Sequence, residues 1–468
     1  MTDKASTRLV KGSVIYMIGN LTSKVLQMLI LPVISASLQT SEFGYYDLIV
    51  TTINLVMPLI TFQVIEGMFR YMFSETHENK KQVVSTVTVF LLASCAVFGA
   101  VMAIIALALP IVKYPFLIYL NYLSAILFNY FQKLSRCEQK NRAFAISGVL
   151  HTIVMLASQA ITLLLFKMGV IGMLISNSIS YVVASFYLFF VVRIDQWLDL
   201  RKTSMNKLLE LLSFSAPLIP NSLCWWLVSS SDRYVITLFL GTGANGIYSM
   251  AGKFSQLLAF ITSVFQLAWQ ESAIIELESE QRDAFYTKTF NTYMKMLLCG
   301  YLVVLPLIKI LIPILLDERY QSGYLYNPIL LIGSVFAAFS QFYGSAYLAF
   351  KKTKGAFYTT VIAAVINISI IVGLIKHIGL FAPALGTAVS FLIQWIVRSL
   401  QMSSYFKVKI EIKTLTVLLV FASAIIIVYY FDSVILQALT ILFGLFVFTF
   451  TNRSIIARVL RKVTPIHN

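Results

Sequence analysis

The sequence predicts an all-α, polytopic membrane protein of about fourteen transmembrane helices, built as two six-helix lobes in a parallel pseudo-twofold repeat plus two C-terminal helices. Three observations predict it. Of the 468 residues, 59% are hydrophobic and 12% charged, against roughly 25% charged in a soluble globular chain. Runs such as Val83–Ile111, Ile146–Phe166 and Leu415–Tyr430 reach the roughly 20 apolar residues that a helix needs to cross a bilayer, and they lack the alternation of a membrane barrel. Short motifs also recur in the same order along the two halves.

The elements follow from apolar runs and the polar punctuation between them. The first run, Val14 to Leu38, is too long for a signal peptide and has no small-residue cleavage site, so it reads as span one, 13–37. Spans two to six fall near 45–71, 83–110, 114–135, 143–166 and 170–193. The connection IDQWLDLRKTSMNK at 194–207 mixes Trp197 and Leu198 with charges, the composition of a helix lying on the cytoplasmic interface. Spans seven to twelve follow near 208–239, 245–275, 290–315, 326–350, 356–376 and 379–403, and two more near 413–431 and 434–451. The expected organisation is an N-terminal lobe 1–193, a cytoplasmic interfacial linker 194–207, a C-terminal lobe 208–405, and an accessory pair with a basic tail, 406–468. Pro32, Pro58, Pro217, Pro220, Pro306, Pro313 and Pro383 interrupt helices, as hinges or as ordinary packing kinks.

The repeat is read from three matches. LQTSEFGYY at Leu38–Tyr46 matches LGTGANGIY at Leu240–Tyr248, an offset of about 202 that also relates Asn20 to Asn221. RAFAISG at Arg142–Gly148 echoes GAFYTTV at Gly355–Val361, and GVIGMLISNSIS at Gly169–Ser180 echoes GLFAPALGTAVS at Gly379–Ser390. Six spans per copy start both copies from the same side. Repeated transporter halves place the substrate site between them.

Positive charge sets the orientation. Lys4, Arg8, Lys80, Lys81, Lys140, Arg142, Arg201, Lys351, Lys352, Lys407, Lys409 and Arg461 lie at the termini or in even-numbered connections. The odd-numbered connections hold only Lys113, Lys167, Arg319 and Lys376. The positive-inside rule then places both termini in the cytoplasm. The net charge of +16 reads as topology and attraction to anionic lipid, with no nucleic acid as partner. Cys95, Cys137, Cys224 and Cys299 form no CxxC pair, and the histidines have no ligand spacing, so no metal site or disulfide framework is expected. No P-loop, HExxH or GxSxG is present, so no catalytic residues and no cofactor are assigned; energy is left to an H+ or Na+ gradient or to the substrate.

Why does WWLVSSSDRYVIT, deep in an apolar stretch, carry Asp232 and Arg233 side by side? A charge at the centre of a membrane helix costs at least about 2.5–3.5 kcal/mol unless it meets a partner or water. Other intramembrane charges join the pair. Lys24 lies about eleven residues into span one, roughly 16 Å down at 1.5 Å per residue. Glu66 and Arg70 stand at i, i+4 on span two. Lys253 is expected one to two turns into span eight, with Glu271 near its inner end. Lys24, Arg70, Arg233 and Lys253 are the candidate substrate-binding cations of a central cavity. Glu66, Asp232 and Glu271 are their charge partners or coupling groups. Alternatives stay open: Arg70 and Lys253 reach out by snorkelling, Glu66 with Arg70 is a structural pair, or Asp232 only neutralises Arg233. Arg136, Lys295 and Arg398 read as interface anchors at inner helix ends.

With KGSVIYMIGNLTSKVLQMLILPVIS at the start and SDRYVITLFLGTGANGIYSMAGKF in span seven to eight, the chain resembles the Wzx-type polysaccharide and O-antigen flippases of the multidrug/oligosaccharidyl-lipid/polysaccharide (MOP) exporter superfamily. The resemblance runs over essentially the whole chain. It implies alternating-access flipping of undecaprenyl-pyrophosphate-linked oligosaccharide from the cytoplasmic to the outer leaflet of a bacterial inner membrane. It also implies cavity cations on the diphosphate, for which Lys24, Arg233, Lys253 and Arg70 stand in place. Implied partners are the lipid-diphosphate-linked glycan and membrane lipids, with polysaccharide polymerase and chain-length proteins left open. Two rivals remain. A multidrug or cation antiporter of the same fold wants acidic cavity residues such as Asp232 and Glu66. A membrane glycan polymerase or ligase wants a large outer loop that this chain lacks.

Overall fold

The computed structural model describes residues 26–72, 77–108, 112–350 and 352–453. The chain divides into two compact units, unit 1 over Met1–Ser230 and unit 2 over Ser231–Asn468. The division falls inside the segment expected as span seven. Among the described residues every regular element is helical.

In unit 1 the helix α1 (Leu31–Ser37) carries Pro32 in its first turn, where the missing N–H costs nothing. The helix α2 (Thr40–Ile60) begins in a capping box, the Gln39 N–H donating to Glu42 Oε2 at 2.8 Å. It does not run to Tyr71 as expected. Pro58 removes one donor from its last turn, and Phe62 and Gln63 take φ of 47° and 55° before α3 (Val64–Tyr71) resumes. The Ser215 hydroxyl donates to the freed Phe62 carbonyl at 2.8 Å, so the break is satisfied within the protein, as a membrane requires. Helices α4 (His77–Ala108), α5 (Pro115–Cys137), α6 (Asn141–Ala160) and α7 (Gly169–Val192) follow. α6 ends in a π-helical turn, Ile161–Leu165, and α7 packs along both α5 and α6.

The linker 194–207 is not an α-helix. It holds two 3-10 turns, Ile194–Gln196 and Leu200–Lys202, because Asp199 and Ser204 turn their side chains onto the N–H groups of Arg201 and Lys207. It is tied down by the Asp199 N–H on Ser85 Oγ at 2.8 Å and by the Lys202–Glu78 ion pair. α8 (Met205–Ser215) and α9 (Ile219–Ser230) follow and pack on α2, α3 and α4. Pro217 sits in the short 3-10 turn between them.

Unit 2 begins with α10 (Asp232–Ile275), which contains a single non-helical residue, Gly241, at φ 86° and ψ 170°. A straight helix would hold residues 233 and 252 about 28 Å apart. Instead a Cβ on Gly252 would lie 3.9 Å from the Arg233 guanidinium. The chain therefore turns back at Gly241, and a side chain there would have to adopt a conformation that favours glycine.

α11 (Arg282–Leu315), the single turn α12 (Glu318–Gln321), α13 (Asn327–Ala349), α14 (Thr353–Ile378) and α15 (Phe381–Met402) form the rest of the lobe. α16 (Ile412–Tyr429) and α17 (Val434–Thr451) both pack on α11. Small residues allow close approach: a Cβ on Gly444 would meet the Leu302 carbonyl at 2.9 Å.

Arg398 corrects one expectation. It is 2% exposed, buried among α13, α14 and α15 and far from an interface anchor's wet environment. Its guanidinium donates to the Thr359 and Thr360 hydroxyls and to the Ser340 carbonyl at 3.0–3.1 Å. The three acceptors lie one and two turns inside the neighbouring helices, which draws the side chain inwards.

Among the described residues eleven helices are long and apolar enough to cross a membrane. Three places separate this from the expected fourteen. The first span lies mostly outside the described residues. α5 carries Asn121, Asn129, Gln132, Lys133 and Arg136 and is not among the eleven. Residues 205–258 run as one apolar stretch through the turn at Gly241.

Candidate functional site

In unit 2 the site is built on the hairpin at Gly241. Asp232 and Arg233 precede the glycine by about 12–14 Å of helix, and Lys253 follows it by about 18 Å, at 1.5 Å per residue. All three thus lie well inside apolar helix, away from the turn. Lys253 stands about three turns after Gly241, because the helix resumes directly after the glycine and not at residue 245.

Asp232 is 3% exposed, and its Oδ1 accepts from Arg233 NH1 at 2.6 Å and from the Arg233 N–H at 3.0 Å. The guanidinium lies over the Tyr248 ring at 5.6 Å, with its tip beside Gly252. Lys253, next in the chain to Gly252, adds a second cation to this part of α10. Lys253 is exposed and forms no ion pair among the described residues. The local charge is net positive, which a membrane tolerates only beside water or an anion.

The repeat has a physical counterpart. In unit 1 the Asn177 amide donates to the Tyr46 hydroxyl at 2.6 Å. In unit 2 their repeat equivalents meet again, with Tyr248 buried beside Thr387 and Asp232. The Tyr248 hydroxyl makes no hydrogen bond of regular geometry.

The other predicted residues divide. Glu66 does not pair with Arg70. Its Oε1 accepts from Lys133 Nζ of α5 at 2.6 Å, and Lys133 and Arg136 both lie over the Phe69 ring. Arg70 is exposed and has no ion pair among the described residues. Lys24 lies outside the described residues, as does the side chain of Glu271. The structure thus brings together Asp232, Arg233 and Lys253, and places Glu66 and Arg70 separately in unit 1. Sequence reasoning missed Lys133 as the partner of Glu66; a lysine in an apolar span, one turn before Cys137, was its signal.

A family model described as polysaccharide biosynthesis protein matches residues 9–270, more than half of the chain. The chain belongs to the polysaccharide biosynthesis protein family. Its membership of the Wzx-type and MOP-type flippases, expected from the sequence, rests on this match, and the multi-pass membrane character of the family agrees with the eleven apolar helices. No curated protein matches the chain in sequence.

Among solved structures, the fold is similar to the lipid II flippase MurJ in an inward closed conformation, with a TM-score of 0.72 at 14% identity, covering 95% of this chain and 100% of that one. It is also similar to an inward-facing multidrug resistance MATE family transporter of the MOP superfamily, with a TM-score of 0.62 at 12% identity over 82% of this chain and 95% of that one. A Vibrio cholerae MATE transporter, VcmN, gives a TM-score of 0.60 at 14% identity, covering 87% and 100%. At these identities the likeness is one of fold. This polysaccharide biosynthesis protein shares its architecture with both flippases and drug transporters, so the choice between them rests on its own residues.

Proposed function

We propose that this protein is a flippase that moves undecaprenyl-pyrophosphate-linked oligosaccharide repeat units from the cytoplasmic to the outer leaflet of a bacterial inner membrane, for surface polysaccharide synthesis. The observation that carries the reading is the excess of positive charge on the apolar hairpin α10, where the Arg233 guanidinium, paired with Asp232, lies beside Gly252 and Lys253 follows in the chain. A lipid diphosphate presents clustered negative charge in an apolar setting. A forked guanidinium and a point-charge ammonium match it. Asp232 aligns the guanidinium and limits its charge, so that the headgroup is held weakly enough to leave. Alternating exposure of this site to the two leaflets moves the passenger, with an H+ or Na+ gradient or the substrate itself as the driving force. Arg70, and Lys24 beyond the described residues, are proposed as further cationic stations for the same headgroup. Both termini are placed in the cytoplasm, and the protein is read as a transporter with no catalytic residues.

A drug antiporter is the second reading, favoured by the buried acid Asp232. It is the weaker one, because that carboxylate is already occupied by Arg233 at 2.6 Å. Deleting the protein separates the two. The flippase reading expects lipid-linked repeat units to accumulate on the cytoplasmic leaflet with surface glycan lost. Intact surface glycan with altered drug sensitivity would favour the antiporter.

A further inference from the structure

Unit 1 encloses a cavity of about 290 Å³ among α2, α5, α6 and α7. Helical spacing builds it. Asn121, Ala125, Phe128, Asn129 and Gln132 line it from α5, at i, i+4, i+7, i+8 and i+11, a single helix face. Asn54 enters from α2, and Asn177 and Tyr181, at i and i+4, from α7. Five carboxamides therefore converge in a membrane-embedded lobe, where polar groups are expensive and mark a pathway or a ligand.

The protein uses only part of their capacity. Asn177 donates to Tyr46 at 2.6 Å, Asn121 to the Leu174 carbonyl at 3.2 Å and Gln132 to Ser147 at 3.3 Å. Asn54 and Asn129 donate to no protein group, and none of the five amide oxygens accepts from one among the described residues. Each free amide can donate and accept at adjacent points, the pattern a hydroxyl group presents. One wall is aromatic: His151 and Tyr181 stack at 4.5 Å and 8°, with Phe128 at 5.2 and 5.6 Å. The lining contains no carboxylate, lysine or arginine. An ionic ligand would find no counter-charge there. A ring with hydroxyls on its edge and apolar faces would find amides for the first and aromatic surface for the second.

We infer that this cavity is a subsite for one uncharged sugar residue, a neutral hexose or N-acetylhexosamine, of the passenger's glycan. The inference rests on the flippase reading and adds to it a chemical selection of the cargo. The volume lies at the lower end of ligand pockets, which start at roughly 300 Å³, so it admits a single ring and excludes a whole repeat unit.

The test is saturation-transfer NMR on the full-length protein in lipid nanodiscs, with methyl glycosides of neutral hexoses and N-acetylhexosamines as probes. Transfer to at least one glycoside is expected. It falls about tenfold in Asn129→Leu/Gln132→Leu, since a site built to bond hydroxyls rejects ligands strongly once its polar groups are removed. It also falls in Asn54→Ala, an exposed position that leaves packing intact. No transfer to any neutral glycoside, or transfer that both pocket variants retain, overturns the proposal. So does a Na+-dependent rise in thermal stability that both variants abolish without any glycoside signal, which would make the cavity a cation site. A strain whose deletion leaves surface glycan intact, with the glycoside signal still present and pocket-dependent, would sink the flippase reading and leave the sugar site standing.

Discussion

Replacing Asp232 by Asn removes the carboxylate that pairs with Arg233. The Asp232 side chain is 4% exposed and that of Arg233 19%, with 2.6 Å between them, so the pair is nearer to the buried limit than to the surface one. Truncating one partner of a buried pair costs about 3–5 kcal/mol, because a charge is left without compensation. The residual hydration of Arg233 places this case near the low end, about 3 kcal/mol. Removing both charges in Asp232→Asn/Arg233→Gln leaves nothing charged to bury. The double variant is expected to regain about 2 kcal/mol of that loss, in the range of couplings between contacting residues. Denaturant titration of the full chain in micelles reads all four corners of the cycle. Transport separates the two single variants further: Asp232→Asn frees the guanidinium and keeps headgroup binding, whereas Arg233→Gln loses it. Equal stabilities at all four corners, or loss of headgroup binding in Asp232→Asn alone, would refute the reasoning.

Further outcomes follow from packing and charge elsewhere. Gly444→Val pushes a side chain into the Leu302 carbonyl, which a Cβ already meets at 2.9 Å, and should lower stability by about 1–3 kcal/mol in the same titration. Arg398→Ala leaves a cavity and three orphaned acceptors and should cost about 3 kcal/mol, while Arg398→Met, which fills the space but orphans the same acceptors, should recover only the cavity part, about 1 kcal/mol or more. The Glu411 carboxyl before α16 is held below the usual range by its hydrogen bond from Lys295 at 2.6 Å. A carboxyl depressed in the folded state stabilises above its unfolded pKa, and this is lost as the pH falls through the folded one. The protection of α16 amides, corrected for the intrinsic pH dependence of exchange, should therefore be constant from neutrality down to about pH 5 and fall only in stronger acid, with Glu411→Gln flat throughout.

The spans were legible because apolar runs and polar punctuation are written directly in composition. The charged step was legible too: Asp232 and Arg233 announce themselves in an apolar run. The break at Phe62 and Gln63 was not, since neither residue is a glycine and Pro58 was the only local sign. Its stability comes from Ser215, some 150 residues away in sequence, which no local pattern reveals. The pairing of Glu66 failed for the same reason. The i, i+4 geometry offered Arg70, but Lys133 on a neighbouring helix lies at 2.6 Å. The turn between spans seven and eight was drawn too long, a five-residue connection where one glycine makes the turn. The amide-lined cavity of unit 1 was not legible as a site, because uncharged amides from three different helices meet only in the fold. Only its α5 share, Asn121, Asn129 and Gln132 on one face of the helix, was present in the sequence.

The central claim is that Arg233 and Lys253 hold an anionic lipid headgroup on the apolar hairpin α10. The most direct measurement is translocation of a polyprenyl-diphosphate-linked oligosaccharide in vesicles reconstituted with the full chain, with wild type beside Arg233→Gln and Lys253→Gln of equal folded content. The account predicts that each substitution lowers the rate by at least about tenfold, the loss of one charge-assisted contact, and that both together abolish transport. Wild-type rates in the double variant would contradict it.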